Sequence, residues 1–375
     1  MMNFKIYKIK ETVDIFISEN EVNNNVKLTF HIMTTRDRIE LNTNKNVARF
    51  IASFDGIKTV NDIINEIGVV RQEEVGKLID FLLNQSLIYD NDDIRYSEPR
   101  FSRQVAFWDD FVLERLGTET QSILENKKIV LFGCGGVGSK IIEILVRSGV
   151  KEITLIDYKI LSSSNSTRHC YFDYKKVGNR KVDVLSDFLF SINSQIKVTT
   201  YFEKLLPTSD LSHIIPNDTD LIVNTCDEPY IGHTSLKIGR YAQKRKIPLY
   251  ISGGFDAHLM SSGELIYPPY TPCIDCVQNT FSKALKGWKP VYSVVSSDET
   301  KVSKKDIGAY IQGGSGGLAM MSGFSANLSC MKLIHFLLND SAYEYINKRI
   351  EYLPNTGDIT SFELIKQSKC EICNE

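Results

Sequence analysis

The residues best equipped for chemistry fall into two groups. One begins where Gly133, Gly135, Gly136 and Gly138 spell G-C-G-G-V-G. The loop comes after a short apolar run, Lys128 to Phe132, and precedes a helical pattern reaching about Ser148. Glycines let a backbone turn tightly and come close to phosphates. A helix start adds free N–H groups and the positive end of the helix dipole. Asp157 ends the next strand pattern, 24 residues past Gly133. A carboxylate there can bind ribose hydroxyls. This points to a nucleotide but does not by itself separate NAD from ATP.

The residues downstream of the acid make that separation. Asn165-Ser166-Thr167-Arg168 comes soon after it, Lys181 later, and Asp227 closes the apolar run LIVNTCD. A dehydrogenase needs a hydride-transfer site but no cations on a triphosphate. An adenylating enzyme needs them, because attack on the α-phosphate builds charge on phosphoryl oxygens and on departing pyrophosphate. Arg168 or Lys181 alone reads as a surface charge. Together, in this order, they favour adenylation.

The second group is cysteine. Cys273-Ile274-Asp275-Cys276 and Cys370-Glu371-Ile372-Cys373 supply four thiolates, enough for a tetrahedral Zn²⁺ with no open position. Such a site is structural and ties the C-terminus back to the domain. A redox pair or lone buried thiols are the alternatives. Cys134, Cys170, Cys226 and Cys330 read as core or loop thiols.

These residues need elements to hold them. From Lys127 onward, strand patterns at Lys128–Phe132, Glu152–Ile156, Asp220–Asn224 and Leu249–Ser252 alternate with helical ones, which predicts an α/β domain with a mainly parallel sheet over residues 127–375. The apolar stretch Gly316 to Leu338 carries several polar residues and reads as a buried helix. Residues 1–90 differ. Val26, Leu28, Phe30 and Ile32 alternate as in a half-buried strand. Helical faces come next at Asn46–Phe54, stopped at Asp55-Gly56, then at Val60–Ile67 and Val75–Leu82, with a capping box at Thr59 and Asp62 and a short strand at Leu87–Tyr89. This predicts a small winged-helix-like α+β domain. Residues 91–126 read as a linker and dimer-contact segment, polar at 91–100. The polar run Ser296–Asp306 reads as a mobile loop.

Composition sets limits. Lys plus Arg is 44 against 46 Asp plus Glu, so no basic excess points to nucleic acid or an anionic membrane. The N-terminus lacks the apolar core of a signal peptide. The expected location is cytoplasmic.

In order and spacing, Arg100-Phe101-Ser102-Arg103-Gln104, the glycine loop, Asp157, Asn165 with Arg168, Lys181, Asp227 and the cysteine pairs resemble the ThiF-type, ubiquitin-activating-like adenylating family over roughly residues 98 to 375. The resemblance implies a Rossmann-like fold and roles for the residues. Asp157 holds the ATP ribose. Asn165, Arg168 and Lys181 bind phosphates, and Asp227 holds Mg²⁺. Arg103 reaches the partner's phosphates across a homodimer. One departure is His169, where the family has Gln after the Arg; little is expected to come of it. Ubiquitin-activating relatives carry a thioester-forming Cys after the first zinc pair. Here Val277 to Ser329 has none, so direct attack on the activated acyl group is expected.

FIASFDGIKTVNDIINEI, followed by EEVGKLIDFLLNQSLIY, resembles a PqqD-like peptide-recognition domain. That implies leader-peptide binding by β-augmentation, with Val26–Ile32 and the first strands as candidate edges. Joined to an adenylating domain, it resembles the peptide-antibiotic maturation enzymes of the microcin and pantocin type. Such enzymes activate a carboxyl or carboxamide of a ribosomal precursor peptide. A sulfur-carrier adenylyltransferase, a substrate-presenting scaffold and, last, a dehydrogenase are the alternatives.

Overall fold

The computed structural model describes residues 4–19, 25–68, 72–91, 99–112, 115–228, 231–253, 255–256, 259–284, 317–338 and 347–373. The expected loop at 296–306 and most of the polar 91–100 stretch lie outside the described residues. The chain divides into two compact units, Met1–Gln121 and Ser122–Glu375.

In the first unit, β1 (Ile6–Ile9) is followed by an antiparallel meander of β2 (Val13–Glu19), β3 (Asn25–Ile32) and β4 (Arg38–Asn44). Next come α1 (Lys45–Ala52), β5 (Asp55–Thr59), α2 (Val60–Ile67), α3 (Gln72–Asn84) and β6 (Ile88–Asp90). β1 lies between β5 and β6 in a second antiparallel sheet. Local chemistry sets the helix ends. Asn44 accepts from the Asn46 and Val47 amides at the start of α1. Thr59 and Asp62 form the expected capping box, and Gly68 closes α2 at φ +80°. Leu28, Phe30, Phe50, Phe54, Ile63, Ile79 and Leu82 fill one core.

Two expectations need correction here. Val26–Ile32 is not an edge, because β3 is the central strand of its sheet and β2 and β4 are the edges. Its alternation reports a strand with one buried face, a signal that does not say whether both sides are hydrogen-bonded. Asp55-Gly56 does not simply stop a helix; it opens β5.

The same unit contains α4 (Ser102–Phe111) and most of α5 (Gly117–Glu125). Phe101, Val105 and Trp108 are buried. The Trp108 indole donates to Gln121 Oε1 at 3.1 Å. Lys10, itself buried, donates to the Asp109 carbonyl at 2.7 Å.

The second unit is a wound α/β sheet. β7 (Lys128–Phe132), α6 (Gly136–Arg147), β8 (Glu152–Ile156), α7 (Lys181–Ile192), β9 (Lys197–Tyr201), β10 (Leu221–Asn224), α8 (Ile231–Lys244) and β11 (Leu249–Ile251) alternate along the chain. β12 (Phe255–Asp256), β13 (Leu259–Ser261), β14 (Glu264–Ile266), α9 (Ile274–Ala284), α10 (Ala319–Leu337), β15 (Lys348–Tyr352) and β16 (Ile359–Glu363) complete it. The main sheet has the order β14-β11-β10-β7-β8-β9, parallel except for β14. Order reverses at β7, whose neighbours are β8 and β10. A topological switch of this kind leaves a crevice at the strands' C-terminal ends. β12, β13, β15 and β16 form a separate antiparallel sheet.

α10 packs on α6 and is buried on one face only. Ser325, Ala326, Ser329 and Leu333 are inside, while Met320 and Met331 are more than half exposed. The expectation of a buried helix therefore holds for one side. No helix among the described residues is long and apolar enough to cross a membrane.

Candidate active site

β8, β7 and β10 are adjacent and parallel. Their C-terminal ends lie side by side, and these ends lead into Asp157, Gly133 and Asp227 respectively. The glycine loop needs its glycines. Gly133 sits at φ +94°, where side chains are strained. At Gly138 an added Cβ would lie 2.1 Å from the Gly133 carbonyl oxygen. Gly135 differs, since an added Cβ there would meet nothing within 4 Å. The start of α6 has no side-chain cap. An uncapped helix start beside open space is a ready anion site.

The loop is held from several sides. The Gly133 amide donates to the Ile156 carbonyl at 2.8 Å. The Cys134 amide donates to Asp157 Oδ2 at 2.8 Å, and the other Asp157 oxygen accepts from the Lys159 amide, also at 2.8 Å. Thr225 Oγ1 donates to the Gly133 carbonyl at 2.8 Å. The Tyr171 hydroxyl donates to the Cys134 carbonyl at 2.6 Å. Asp157 is thus a buried carboxylate aligned by two backbone donors.

A 3₁₀ turn, Ser163–Thr167, positions the cation after it. Asn165 is buried, and its Oδ1 accepts from the Ser162 amide at 2.9 Å. Its carbonyl accepts from the amides of Arg168 and His169 at 3.2 and 3.1 Å. That leaves the Asn165 Nδ2 hydrogens as donors. Arg168 comes against the start of α6, since a Cβ added at Gly136 would lie 3.2 Å from the Arg168 Cβ. Lys181 opens α7 and is 6% exposed. Burial pushes its pKa below the ordinary lysine value, and the Asp157 and Asp227 carboxylates oppose that shift. Among the described residues, neither Arg168 nor Lys181 makes a side-chain hydrogen bond or an ion pair.

Asp227 is exposed, on the loop after β10. Asn224, fully buried, sets that loop. Its Nδ2 donates to Thr234 and Ser235 at 3.1 and 3.0 Å, and its Oδ1 accepts from the Cys226 amide at 3.1 Å. Across the crevice mouth, Tyr158 and Lys159 both donate to the Glu228 carboxylate.

The structure therefore gathers Gly133, Gly135, Gly136, Gly138, Asp157, Asn165, Arg168, Lys181 and Asp227 at one edge of one unit. Arg103 is exposed on α4, in the other unit. Thr225, Tyr171 and Asn224 are not evident from the sequence, because hydroxyl and amide braces carry no spacing signature. The polar Asn224 closing the apolar run LIVN is the one signal the chain offers.

Burial raises the pKa of Cys134, Cys226 and Cys330, and brings Cys170 up to about 11. None of these thiols is poised as a thiolate nucleophile. The paired cysteines form a separate cluster. The four sulfurs lie within 4.8 Å of one another, with Cys273 to Cys370 and Cys276 to Cys373 each at 3.6 Å. A disulfide needs about 2.05 Å. Four ligands at about 2.3 Å from zinc place sulfurs roughly 3.8 Å apart, and the cluster fits that. The Cys273 and Gln367 amides point at Cys373 and Cys276 sulfurs at 3.4 and 3.3 Å, as suits thiolates.

Comparison with known proteins agrees with this arrangement. Residues 101–373 match the ThiF family model. Escherichia coli molybdopterin-synthase adenylyltransferase is 27% identical over 244 residues, which cover 63% of this chain and 92% of that protein. Structures of Escherichia coli MccB, solved with ATP and with AMPCPP plus MccA, superpose with a TM-score of 0.69 at 20% identity over 98% of this chain and 99% of MccB. One further MccB structure describes it as the microcin C7 biosynthetic enzyme, in complex with N-formylated MccA. PaaA superposes with a TM-score of 0.70 at 18% identity, over 96% of this chain and all of PaaA. At such identities the structural likeness is one of fold. The match of the family model to most of the chain, on the residues that build the crevice, makes this protein a member of the ThiF family.

Proposed function

We propose that this protein is an ATP-dependent adenylyltransferase that activates a carboxyl or carboxamide of a ribosomally made precursor peptide in peptide-antibiotic biosynthesis. The observation that carries the adenylation is the pair of cations, Arg168 and Lys181, which among the described residues have no side-chain hydrogen-bond partner, beside a glycine-rich helix start without a side-chain cap. Such cations are complementary to a triphosphate. Asp157 binds the ribose hydroxyls, and Asn165 Nδ2 donates to a phosphoryl oxygen. Asp227 is the carboxylate to hold Mg²⁺, which when bound spreads the charge of the departing pyrophosphate.

In the reaction a substrate carboxylate oxygen attacks the α-phosphorus. The bond to the β-phosphate oxygen breaks, and pyrophosphate leaves with the electron pair. A peptide nucleophile then attacks the acyl carbon directly and gives up its proton as the acyl C–O bond breaks. AMP departs with that electron pair in a condensation or cyclisation, or is itself joined to the peptide through nitrogen in a further step that consumes ATP. The raised thiol pKa values support a route without an enzyme thioester. Arg103 acts in trans across a homodimer. The Cys273, Cys276, Cys370, Cys373 cluster holds structural Zn²⁺. The enzyme works in the cytoplasm.

The precursor peptide as substrate rests on the first unit. The molybdopterin-synthase relative covers 63% of this chain, whereas the likeness to MccB, crystallised with MccA, runs through both units. The leader adds a strand beside an edge such as β2, where Phe16 and Ile17 are exposed. A second reading, adenylation of a small sulfur-carrier protein, rests on that sequence relative and needs no leader.

The test is the intact mass of a precursor peptide encoded beside the gene, after incubation with enzyme, ATP and Mg²⁺. A gain matching a nucleotide, or a loss matching water, supports the reading. An unchanged mass despite demonstrable leader binding overturns it in favour of a scaffold. Turnover on a carrier protein with a Gly-Gly tail, with none on the peptide, overturns it in favour of the second reading.

A further inference from the structure

His169, the departure from the family pattern, is 8% exposed, and among the described residues both its ring nitrogens are buried without a hydrogen-bond partner. Leaving buried polar atoms unpaired destabilises a fold, so an orphan imidazole in a folded core calls for a reason. Its surroundings supply one. The backbone amide is fixed to the Asn165 carbonyl at 3.1 Å. The ring stands edge-on to Tyr171 at 5.5 Å, the tyrosine whose hydroxyl braces the glycine loop. The strongest charges that act on it are Lys181 at the start of α7, Arg168 on its own turn and Lys140 on α6, opposed by the Asn165 backbone. Asp157 and Glu143 act on its neighbours Tyr171 and Cys170. An imidazole with no hydrogen-bond partner among the described residues, set beside the glycine loop where the strongest charges on it are cations, is half of an interaction whose other half is an anion.

Resting on the adenylating function proposed for this site, we propose that His169 is a further phosphate-binding residue of the nucleotide site, giving a ring N–H to the bound phosphate chain. Before the nucleotide arrives the imidazole is neutral, since burial and the Lys181 and Arg168 charges hold its pKa down to about 3. A triphosphate reverses the sign of that field. The bound phosphate stabilises the imidazolium, and the second nitrogen takes up a proton from solvent. Nucleotide binding is thereby coupled to pH. A Gln at this position supplies the same N–H but takes up no proton.

The experiment compares the full-length protein with His169→Gln. Titration calorimetry with Mg²⁺ and AMPCPP, at pH 6 in two buffers of different ionisation enthalpy, counts protons bound per nucleotide. The wild type should take up a sizeable fraction of one proton more than the variant. Its affinity should gain roughly threefold to fivefold over the variant's between pH 8 and pH 6. In the wild type, the His169 imidazole resonance should titrate below pH 4 without nucleotide and above about pH 6 with it. Equal proton counts with AMPCPP bound to both proteins overturn the role of His169 alone. No binding to either overturns the adenylating function, and this role with it. Should His169→Gln not fold, the wild-type resonance decides: no shift on nucleotide binding rejects the proposal.

Discussion

The second unit holds two clusters of reactive side chains, and they differ in what they leave unsatisfied. At the cysteine cluster the four sulfurs face one another within 4.8 Å, and backbone amides complete the shell. At the crevice edge, among the described residues, two cations make no ion pair, an imidazole has no hydrogen-bond partner, and a helix start has no side-chain cap beside open space. A closed set of ligands is a staple. An open set of donors of one sign is a binding site. Burial alone does not tell the two apart, since Cys273 and Lys181 are both buried. The presence or absence of mutual partners does.

The largest expected effect comes from emptying the open cluster. Asp227→Ala and Lys181→Ala should each lower ATP-dependent turnover by about 10³-fold, the scale of losing one preorganised group for transition-state charge. Their melting temperatures should match the wild type or exceed it, because Asp227 is exposed and Lys181 is a buried cation without a hydrogen bond among the described residues. Full activity in Asp227→Ala would remove the metal assignment. A large stability loss in Lys181→Ala would break the comparison, since the lysine would then be a staple too.

Emptying the closed cluster should do the reverse. Metal analysis should find about one zinc per chain, and Cys276→Ser or a strong chelator should lower the melting temperature markedly, since a structural zinc contributes roughly 10 kcal/mol or more in small domains. Nucleotide affinity of the still-folded fraction should stay within about tenfold. A Zn²⁺ requirement in the chemical step, with stability unchanged, would merge the two clusters into one function.

The difference between the clusters also governs what is legible in the chain. Short, mostly apolar runs announce β7 and β8 to the residue, because buried parallel strands carry few polar residues. The second sheet, β12 with β13, β15 and β16, gives no such signal. Its strands are short, β16 is mostly exposed, and it is assembled from distant segments. Glycines, acids and paired cysteines sit at fixed spacings, so the sequence displays them. Thr225 and Tyr171 act through hydroxyls that reach a loop far away in the chain, and spacing cannot show that. His169 is visible as a departure from the family pattern. Its significance is not, because an orphan nitrogen is a property of three-dimensional surroundings.

A moderate effect should appear in the pH dependence of stability. Without nucleotide, folded His169 stays neutral down to about pH 3, whereas in the unfolded chain it protonates near its ordinary value of about 6.5. Between those values the unfolded state binds more protons. The stability of the folded form is therefore fully present above about pH 6.5 and falls as pH drops towards 3, with a slope of at most about 1.4 kcal/mol per pH unit from this residue. His169→Gln should flatten the fall between pH 6.5 and 4.5 in urea unfolding. An identical slope in the variant would mean that the imidazole finds a partner in solution, which would move it from the open cluster to the satisfied one.

The smallest effect tests the braces rather than the clusters. Thr225 donates to the Gly133 carbonyl at 2.8 Å and the Phe132 carbonyl at 3.1 Å, and Thr225→Val keeps the shape while removing both bonds. The loss should be about 1 kcal/mol, the usual net worth of a hydrogen bond. If the bond mainly stabilises the fold, the melting temperature falls and the KM for ATP holds. If it holds the glycine loop in register for phosphates, KM rises about fivefold at nearly constant melting temperature. The second outcome is expected. The Gly133 backbone already donates to the Ile156 carbonyl at 2.8 Å and so stays anchored to the sheet on its other side, which leaves Thr225 free to set the angle at which the loop meets its anion.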